Sequence, residues 1–586
     1  MDDFTLGYLA AGDLPASERE HAPAVPPGER LVPGSRNTAF YNAHSYHTKV
    51  PPEAIRPFIE HFTQEGDVIL DPFAGSGMTG VAAALAGRRA ILNDLSPAAS
   101  HLAWNHTRPC DGEALAAAFE RVAEAVRPEC DRYYSTRDEK GRPATIRWTL
   151  WSTRHQCPSC KGRFLLWDTV DRKTGRLSRA TECTTCGHEA DRRRFTVIAN
   201  QPALVAFQRS DGSFGERPAT AQDRKDADIL AQELNGAPFP DVALGADREM
   251  YQRCALHLQG VTSVRDMYTA RNRLALSCLW EAIGDEPDFR LRAALAFAFT
   301  NTAWHGTRMR RFNARGGHRP LTGTLYVPQL SAEANVIHVM RRKIGQLRSY
   351  YRAFQPGQER APDILCGSAT QLDRVPDGSI DYVFTDPPFG SNIFYADCNL
   401  IWESWLGRVT DQAQEAVVNR SLSQSKGGKS LADYSDLMAQ SLREIARVLK
   451  PGGWATIVFH NTDKDVWKAL SSAASAAGFE FHEASSLDRK QQSHKGYKGR
   501  GGKENVAHFD VVMNLRKPDS RGVHVRRVEE EFDLERMIED ITQEDGIAIR
   551  GAQGVHAEIM RRLMSAGRTQ FPDFHEVREA LNRLPA

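Results

Sequence analysis

Apolar and polar positions divide the 586-residue chain into stretches of different texture. Residues 1 to about 38 mix proline, glycine and charge (DLPASEREHAPAVPPGERLVPGSR), which predicts an irregular lead-in. From Pro52, PEAIRPFIEHF reads as a helix that runs into Gly66. DVILDPFAGSGMTGVAAALAGRRAILND then reads as strand, glycine-rich turn, helix and strand, with the apolar run Val68–Leu70 ending at Asp71. The next element of such an α/β unit does not follow. Residues 106–355 carry instead two CxxC pairs, many arginines and helical patterns such as RNRLALSCLWEAI and LRAALAFAFTNTAW. The β/α order resumes with APDILCGSAT, SIDYVFTDPPF, LMAQSLREIARVL, GGWATIVFH, DVWKALSSAASAAG and FDVVMNL. The expectation is one doubly wound α/β sheet domain, over 39–105 and 356–516, split by a large, mostly helical insertion at 106–355. A charged helical tail follows at 517–586.

Composition narrows the class. Lysine and arginine number 75 against 74 acids, a net charge of +1, with 41% apolar and 25% charged residues. That is a globular mixture, and at ~150 residues per domain it has length for several domains. It excludes a uniformly basic coat for nucleic acid, but not a local nucleic-acid site, because binding depends on where charge sits. No run reaches the length of a membrane span, and MDDFTLGYLAAGDLP lacks the basic-then-apolar order of a secretory signal. Ten cysteines are too few for a disulfide scaffold. A reducing cytoplasm, in association with the nucleoid and with no membrane partner, is the expected location.

Two loops carry the chemistry. DPFAGSGMTG, Asp71 to Gly80, is a small-residue turn between a buried strand and a helix, where a ligand can approach the backbone. No GK[ST] follows, so it is not a P-loop. Asp71 stands at a strand's carboxyl end, where such folds bind ligands, and Asp94 is placed to accept hydrogen bonds from ribose hydroxyls. The spacing suits a dinucleotide and a sulfonium nucleoside equally; alone, it would also suit a turn that binds nothing. The second loop, Asp386-Pro387-Pro388-Phe389, follows the apolar strand DYVFT. Two prolines fix two φ angles and remove two donors, leaving a stiff loop with outward carbonyls. Asp386 and the Pro387 carbonyl could accept both N–H bonds of an exocyclic amino group, with Phe389 stacked on the ring.

Together the loops resemble the amino-methyltransferases of DNA, which methylate adenine N6 or cytosine N4 using S-adenosylmethionine. That family's catalytic (D/N/S)PP(Y/F) matches Asp386, Pro387, Pro388 and Phe389, and its cofactor loop matches Asp71, Pro72, Phe73, Ala74, Gly75, Ser76 and Gly77. HSYHTKVPPEAIRPFIEHF resembles the helix that closes over the cofactor's methionine part, with His47, Thr48 and Lys49 at the matching positions. RVLKPGGWATIVFH resembles the segment that follows the catalytic loop. The resemblance covers about 40–105 and 360–516 and implies a class I, Rossmann-like methyltransferase sheet. Asp94 stands where the family often has glutamate. Asp at the first position of DPPF leans toward adenine N6, with cytosine N4 as the alternative. Cytosine C5 chemistry lacks its cysteine after proline. An RNA base methyltransferase and a catalytically silent DNA-binding scaffold in a multi-subunit restriction or defence system are the competing readings. No nuclease motif is visible.

Cys157-x2-Cys160 and Cys183-x2-Cys186, 22 residues apart, have the spacing of a zinc ribbon at about 150–195. Four thiolates close the shell, so the metal is expected to be structural, with His188 a surface residue ahead of its alternative role as a substitute ligand. A duplex base reaches DPPF only when flipped out, so something must grip the flanking duplex. The insertion is the expected target-recognition element for double-stranded DNA. Residues 301–320 hold five arginines (Arg308, Arg310, Arg311, Arg315 and Arg319) and no acid, and 340–352 hold five more basic residues. The loop at 489–503 adds six, including Lys495, Lys498 and Arg500. The acidic stretch at 529–545 admits three readings: a solvated helix face, a partner surface, or a contact for the basic regions.

Overall fold

The computed structural model describes residues 38–171, 180–234, 239–356, 361–459, 464–488, 509–519, 532–544 and most of 555–583. The lead-in to residue 37 and the basic loop with Lys495, Lys498 and Arg500 lie outside the described residues. The chain divides into two compact units. One comprises Cys110–Arg352 and Asp397–Gly407, and the other comprises the remaining described residues.

The second unit is built on seven strands: β1 (Val68–Asp71), β2 (Arg89–Asp94), β3 (Asp363–Cys366), β4 (Ile380–Thr385), β5 (Leu449–Phe459), β6 (Glu480–Asp488) and β7 (Phe509–Arg516). Their order is β3-β2-β1-β4-β5-β7-β6. All neighbours through β5 are parallel, and β7 runs antiparallel to both β5 and β6. This is the doubly wound sheet that the sequence predicts. The strand order reverses between β1 and β4, and in such sheets ligands bind outside the carboxyl ends of the strands at that point. The topology thus brings Asp71 and the DPPF loop, more than 300 residues apart in sequence, to one edge.

The elements form for ordinary reasons. β1 is buried on both faces, as a central parallel strand must be, and its Val-Ile-Leu run meets that need. The helix α1 (Pro52–Phe62) buries Ala54, Ile55, Phe58, Ile59 and Phe62 at spacings of three and four, and Phe62 stacks on Tyr382 of β4 with centroids 5.2 Å apart. α2 (Met78–Leu85) starts directly from the glycine loop, and α3 (Pro97–Thr107) is capped by the Ser96 hydroxyl, which accepts the Ala99 N–H. α4 (Leu431–Val448) opens on a capping box between Ser430 and Asp433.

The tail does not form a body of its own. Ile538, Ile541, Ile559, Leu563 and Val577 belong to the same buried cluster as Leu70, Val383, Leu442, Ile457 and Met513 of the sheet unit. In the helix Leu534–Glu544 the acids Glu535, Glu539 and Asp540 are exposed while Ile538 and Ile541 are buried, so these acids stand on the outer face of an amphipathic helix.

The other unit carries long helices, as expected, among them Gly112–Ala125, Ala270–Gly284, Phe289–His305 and Val336–Ala353. It also holds an antiparallel sheet that the sequence reading misses, built on the strands Pro143–Gln156, Thr196–Arg209, Phe214–Pro218 and Leu330–Ala334. Register shifts at three places in the longest pair and a proline, Pro202, within the second strand erase the alternation by which a strand is recognised. The segment Asp397–Gly407, eleven residues beyond Asp386, belongs to this unit as well, a departure from the expected boundaries. Its helix Leu400–Leu406 is buried along its whole length, with Trp405 against Phe239 and Phe299 at 4.8 Å each. The Asp397 carboxylate accepts from Arg248 Nη1 at 3.1 Å and from the Met250 N–H at 2.8 Å. Among the described residues no helix is long and apolar enough to cross a membrane.

Candidate functional site

The loop after β1 is braced from three strands. Asp71 is buried, and its carboxylate accepts from the Phe73 N–H (3.1 Å), the Thr79 hydroxyl (2.6 Å) and the Thr385 hydroxyl (2.8 Å). Burial lifts its carboxyl to about 6 against these three donors. One side chain thus ties the glycine loop to the last residue of β4, directly before Asp386. Asp94 accepts from the Gly75 N–H at 2.7 Å and the Ser96 N–H at 2.8 Å, and burial lifts it to about 6 as well. The Asn93 side-chain amide donates to the carbonyls of Pro72 (3.2 Å) and Gly367 (3.0 Å), joining the ends of β1, β2 and β3.

Gly77 shows why the loop needs glycine. Its φ is +81°, and a Cβ there would lie 2.6 Å from Cα of Ala103, backbone of α3 that cannot step aside. Gly77→Ala is therefore expected to destabilise the chain by about 3 kcal/mol, combining left-handed strain with overlap. Denaturant unfolding beside Gly345→Ala, a helical position where an added Cβ meets nothing, is the check. Equal midpoints for the two variants would refute it.

These loops open on one cavity of about 980 Å3, its open mouth included. Its lining includes Tyr46, Thr48, Lys49, Asp71, Phe73, Ala74, Gly75, Ser76 and Asp94 from the first loop and its approach, and Asp386, Pro388 and Tyr395 from the second. Ser368 and Thr370 after β3, and Thr410, Gln414, Glu415 and Ala416 with Leu437 and Ser441, add to the wall. Pro72, Gly77 and His47 stand behind it. The stretch 47–49 is irregular chain ahead of α1, not part of a helix as the resemblance implies. Within it, His47 packs on the rings of Tyr46 and Tyr395, and the Lys49 ammonium donates to the carbonyls of His44 (2.8 Å) and Tyr41 (3.2 Å).

In the second loop Asp386 and Pro388 are half-buried at the cavity wall, and Pro387 is buried. The Pro388 carbonyl is taken by the Tyr434 hydroxyl at 2.9 Å, which pins the loop to α4. Phe389 corrects an expectation. Its ring is 6% exposed, stands edge-on to Phe459 at 5.3 Å within the sheet's core and is not part of the cavity wall. The aromatic rings that do line the cavity are Tyr46, Phe73, Phe384 and Tyr395, and Tyr395 shares a hydrogen bond with Thr48 at 2.9 Å. Tyr46, Tyr395, Thr385 and Tyr434 are absent from the sequence reading. Only Thr385, a hydroxyl closing an apolar strand beside Asp386, leaves a signal there.

The four cysteines of the other unit come together. Their sulfurs all lie within 4.8 Å of one another, with Cys157–Cys186 at 3.9 Å and Cys160–Cys183 at 3.7 Å. A tetrahedron with Zn–S bonds of about 2.3 Å has edges of about 3.8 Å, so the donor set fits zinc. The Gly162 N–H on Cys160 Sγ (3.3 Å) and the Thr185 N–H on Cys183 Sγ (3.4 Å) are the amide bonds that steady thiolates in such knuckles. Phe164 and Phe195 pack with Cys157 and Cys183 beneath them, and His188 lies against Phe195.

The arginines of 301–320 separate. Arg308 donates to the Asp266 carbonyl (2.9 Å), and Arg310 donates to those of His318 (3.1 Å) and Ala332 (3.3 Å). Burial lowers both from their usual values. One Arg308 donor is thus committed to a backbone carbonyl where a surface contact was expected. Arg311, Arg315 and Arg319 are exposed.

Residues 25–104 match the sequence model of the DNA methylase family (N6_N4_Mtase). A 52-residue stretch is 48% identical to "Putative methylase YubD" of Escherichia coli (strain K12), a match covering 9% of this chain and 23% of that protein, so the chain spans about a quarter of the relative it matches. Solved structures with a similar fold include the 16S rRNA (adenine(1408)-N(1))-methyltransferase of Catenulisporales acidiphilia (14% identical, 30% of this chain and 73% of that one, TM-score 0.17). TTHA0409 of Thermus thermophilus, described as a putative DNA modification methylase, is 15% identical over 33% of this chain and 72% of that one, with a TM-score of 0.16. The segment of this chain that holds the glycine loop, residues 25–104, is thus the part similar to the DNA methylase family.

Proposed function

We propose that the chain transfers a methyl group from S-adenosylmethionine to an exocyclic amino group of a flipped-out base in double-stranded DNA, adenine N6 ahead of cytosine N4. The observation that carries the reading is the opening of Asp71 and Phe73 to Ser76 of the glycine loop, together with Asp386 and Pro388, onto one cavity at the sheet's switch point. The residues fit the cofactor. Asp94 offers a half-buried carboxylate for ribose hydroxyls, Ser96, Ser368 and Thr370 add polar atoms beside it, and Tyr46 and Phe73 give aromatic faces to a sulfonium. A side chain on Gly75 would meet the Tyr46 ring at 3.0 Å and fill this cradle.

When bound, S-adenosylmethionine supplies an electrophilic methyl group. Asp386 and the Pro387 carbonyl would accept the two amino hydrogens, which draws the nitrogen lone pair out of the ring and aims it at the methyl carbon. Asp71 through Thr385, and Tyr434 through the Pro388 carbonyl, hold that acceptor pair against the loop that positions the cofactor. Incubating the chain with labelled cofactor and duplex DNA, then separating nucleosides by mass spectrometry, tests the reading. N6-methyladenine supports it in full, N4-methylcytosine changes the base, and no label in DNA, with label in a parallel reaction on structured RNA, refutes DNA as the substrate.

Cofactor binding should depend on pH through Asp94. Its carboxyl, lifted to about 6 in the free protein, is pulled down when ribose hydroxyls donate to it. Affinity is therefore full above about pH 7 and falls as the pH drops through about 6. Calorimetric titration across that range should show the loss, and Asp94→Asn should flatten it.

A further inference from the structure

A base taken out of a duplex loses its stacking neighbours, and enzymes that flip bases recover that loss on an aromatic face. Phe389, the ring that the DPPF tetrapeptide offers, is spent on the core against Phe459. Of the other rings that line the cavity, Phe384 is 2% exposed within β4 and packs on Phe58 of α1 at 5.8 Å. Tyr46 and Phe73 belong to the cofactor's side, since Tyr46 lies against Gly75 and Phe73 is part of the glycine loop itself. That leaves Tyr395 among the described residues. It stands nine residues beyond Asp386, on the chain that leaves the second loop, and it is half-buried at the cavity wall.

The ring is held in place by several contacts. The hydroxyls of Tyr395 and Thr48 share a hydrogen bond at 2.9 Å. The ring lies nearly parallel to that of Tyr46, with centroids 6.1 Å apart and planes 25° from each other, and His47 stands edge-on to it at 6.1 Å. The next residue, Ala396, donates its N–H to Glu415 Oε1 at 3.1 Å, and Glu415 is itself buried in the cavity wall. Tyr395 thus opens the helix Tyr395–Cys398 with its backbone tied toward Glu415 and its ring tied to the stretch ahead of α1. A ring so held has little rotamer freedom left to lose when a planar ligand settles on it. Every base has a π-face, so such a platform serves adenine and cytosine alike, and the choice between them falls to other groups.

We propose that Tyr395, in place of Phe389, supplies the aromatic face on which the flipped-out base stacks while Asp386 accepts from its amino group. The assignment rests on the methyl-transfer reading. The full chain and its variants are assayed for labelled methyl transfer into duplex DNA and, in parallel, into structured RNA, with calorimetric cofactor binding and melting curves alongside. Tyr395→Leu and Tyr395→Met keep apolar bulk without a π-face. They are expected to lower kcat/KM for the nucleic acid about tenfold or more, as loss of one base–aromatic stack does, with cofactor affinity within about twofold. Tyr395→Phe loses only the hydroxyl and should stay within about threefold of the parent chain. Parental kcat/KM in both non-aromatic variants would overturn the stack and leave methyl transfer standing. Lost cofactor binding would assign the ring to the cofactor, and a Tyr395→Phe variant as impaired as the other two would assign the work to the hydroxyl; either result overturns the proposal. A parent chain that labels neither nucleic acid refutes methyl transfer itself, and the stack with it.

Discussion

Asp386→Ala is expected to lower methyl transfer about a thousandfold while leaving cofactor affinity within about twofold. The asymmetry follows from position. Asp386 lines the cavity as the first residue past β4, whereas the bonds that shape the cofactor loop come from Asp71, Asn93 and Asp94. Alanine removes an acceptor that acts on the amino group and none that braces the loop. Asp386→Asn keeps one acceptor oxygen and loses the charge, so it should retain measurable turnover, as the Asn in the family's tetrapeptide implies. Tritiated-methyl incorporation into duplex DNA, with calorimetric cofactor binding alongside, separates the two effects. Near-parental turnover in Asp386→Ala would end the mechanism; lost cofactor binding would make Asp386 a structural residue.

Zinc removal should have the largest effect on stability. The cysteine cluster sits on a small core of two phenylalanines and two of its own cysteines, far too little apolar area to hold the segment by itself. Structural zinc supplies on the order of 10 kcal/mol in such modules. Stripping the metal with a strong chelator, or Cys157→Ser together with Cys183→Ser, should open residues 157–195 to proteolysis. The parent chain should carry one zinc per molecule by elemental analysis. A protease pattern indifferent to chelation would show that the cluster holds no metal.

What the sequence made legible was what it kept contiguous. The two loops and the four cysteines each concentrate their chemistry within a few positions, so residue type and spacing suffice. Asp71 shows the opposite case. From the sequence it is a ligand-facing acid at a strand end, yet its hydrogen bonds make it a strut between β1 and β4. One partner, Thr385, is 314 residues away, a distance no local pattern spans. Phe389 misled for a related reason, since nothing in DPPF says that Phe459 stands ready to take its ring. Arg308 misled because its acceptor is a backbone carbonyl, which leaves no trace in residue type.

The eleven residues Asp397–Gly407 have a consequence for how this chain can be cut or recombined. They are encoded between β4 and α4 of the sheet unit but spend their apolar side chains in the other unit, where Leu400, Ile401, Trp402 and Trp405 are buried. Excising 110–352 as a cassette would leave that helix with no core to enter and four large apolar side chains in water. Grafting 110–352 alone onto another enzyme would leave Trp280, Phe299 and Phe239 without Trp405. The two segments therefore move together or not at all, and a chimera that exchanges this unit between relatives must carry both across.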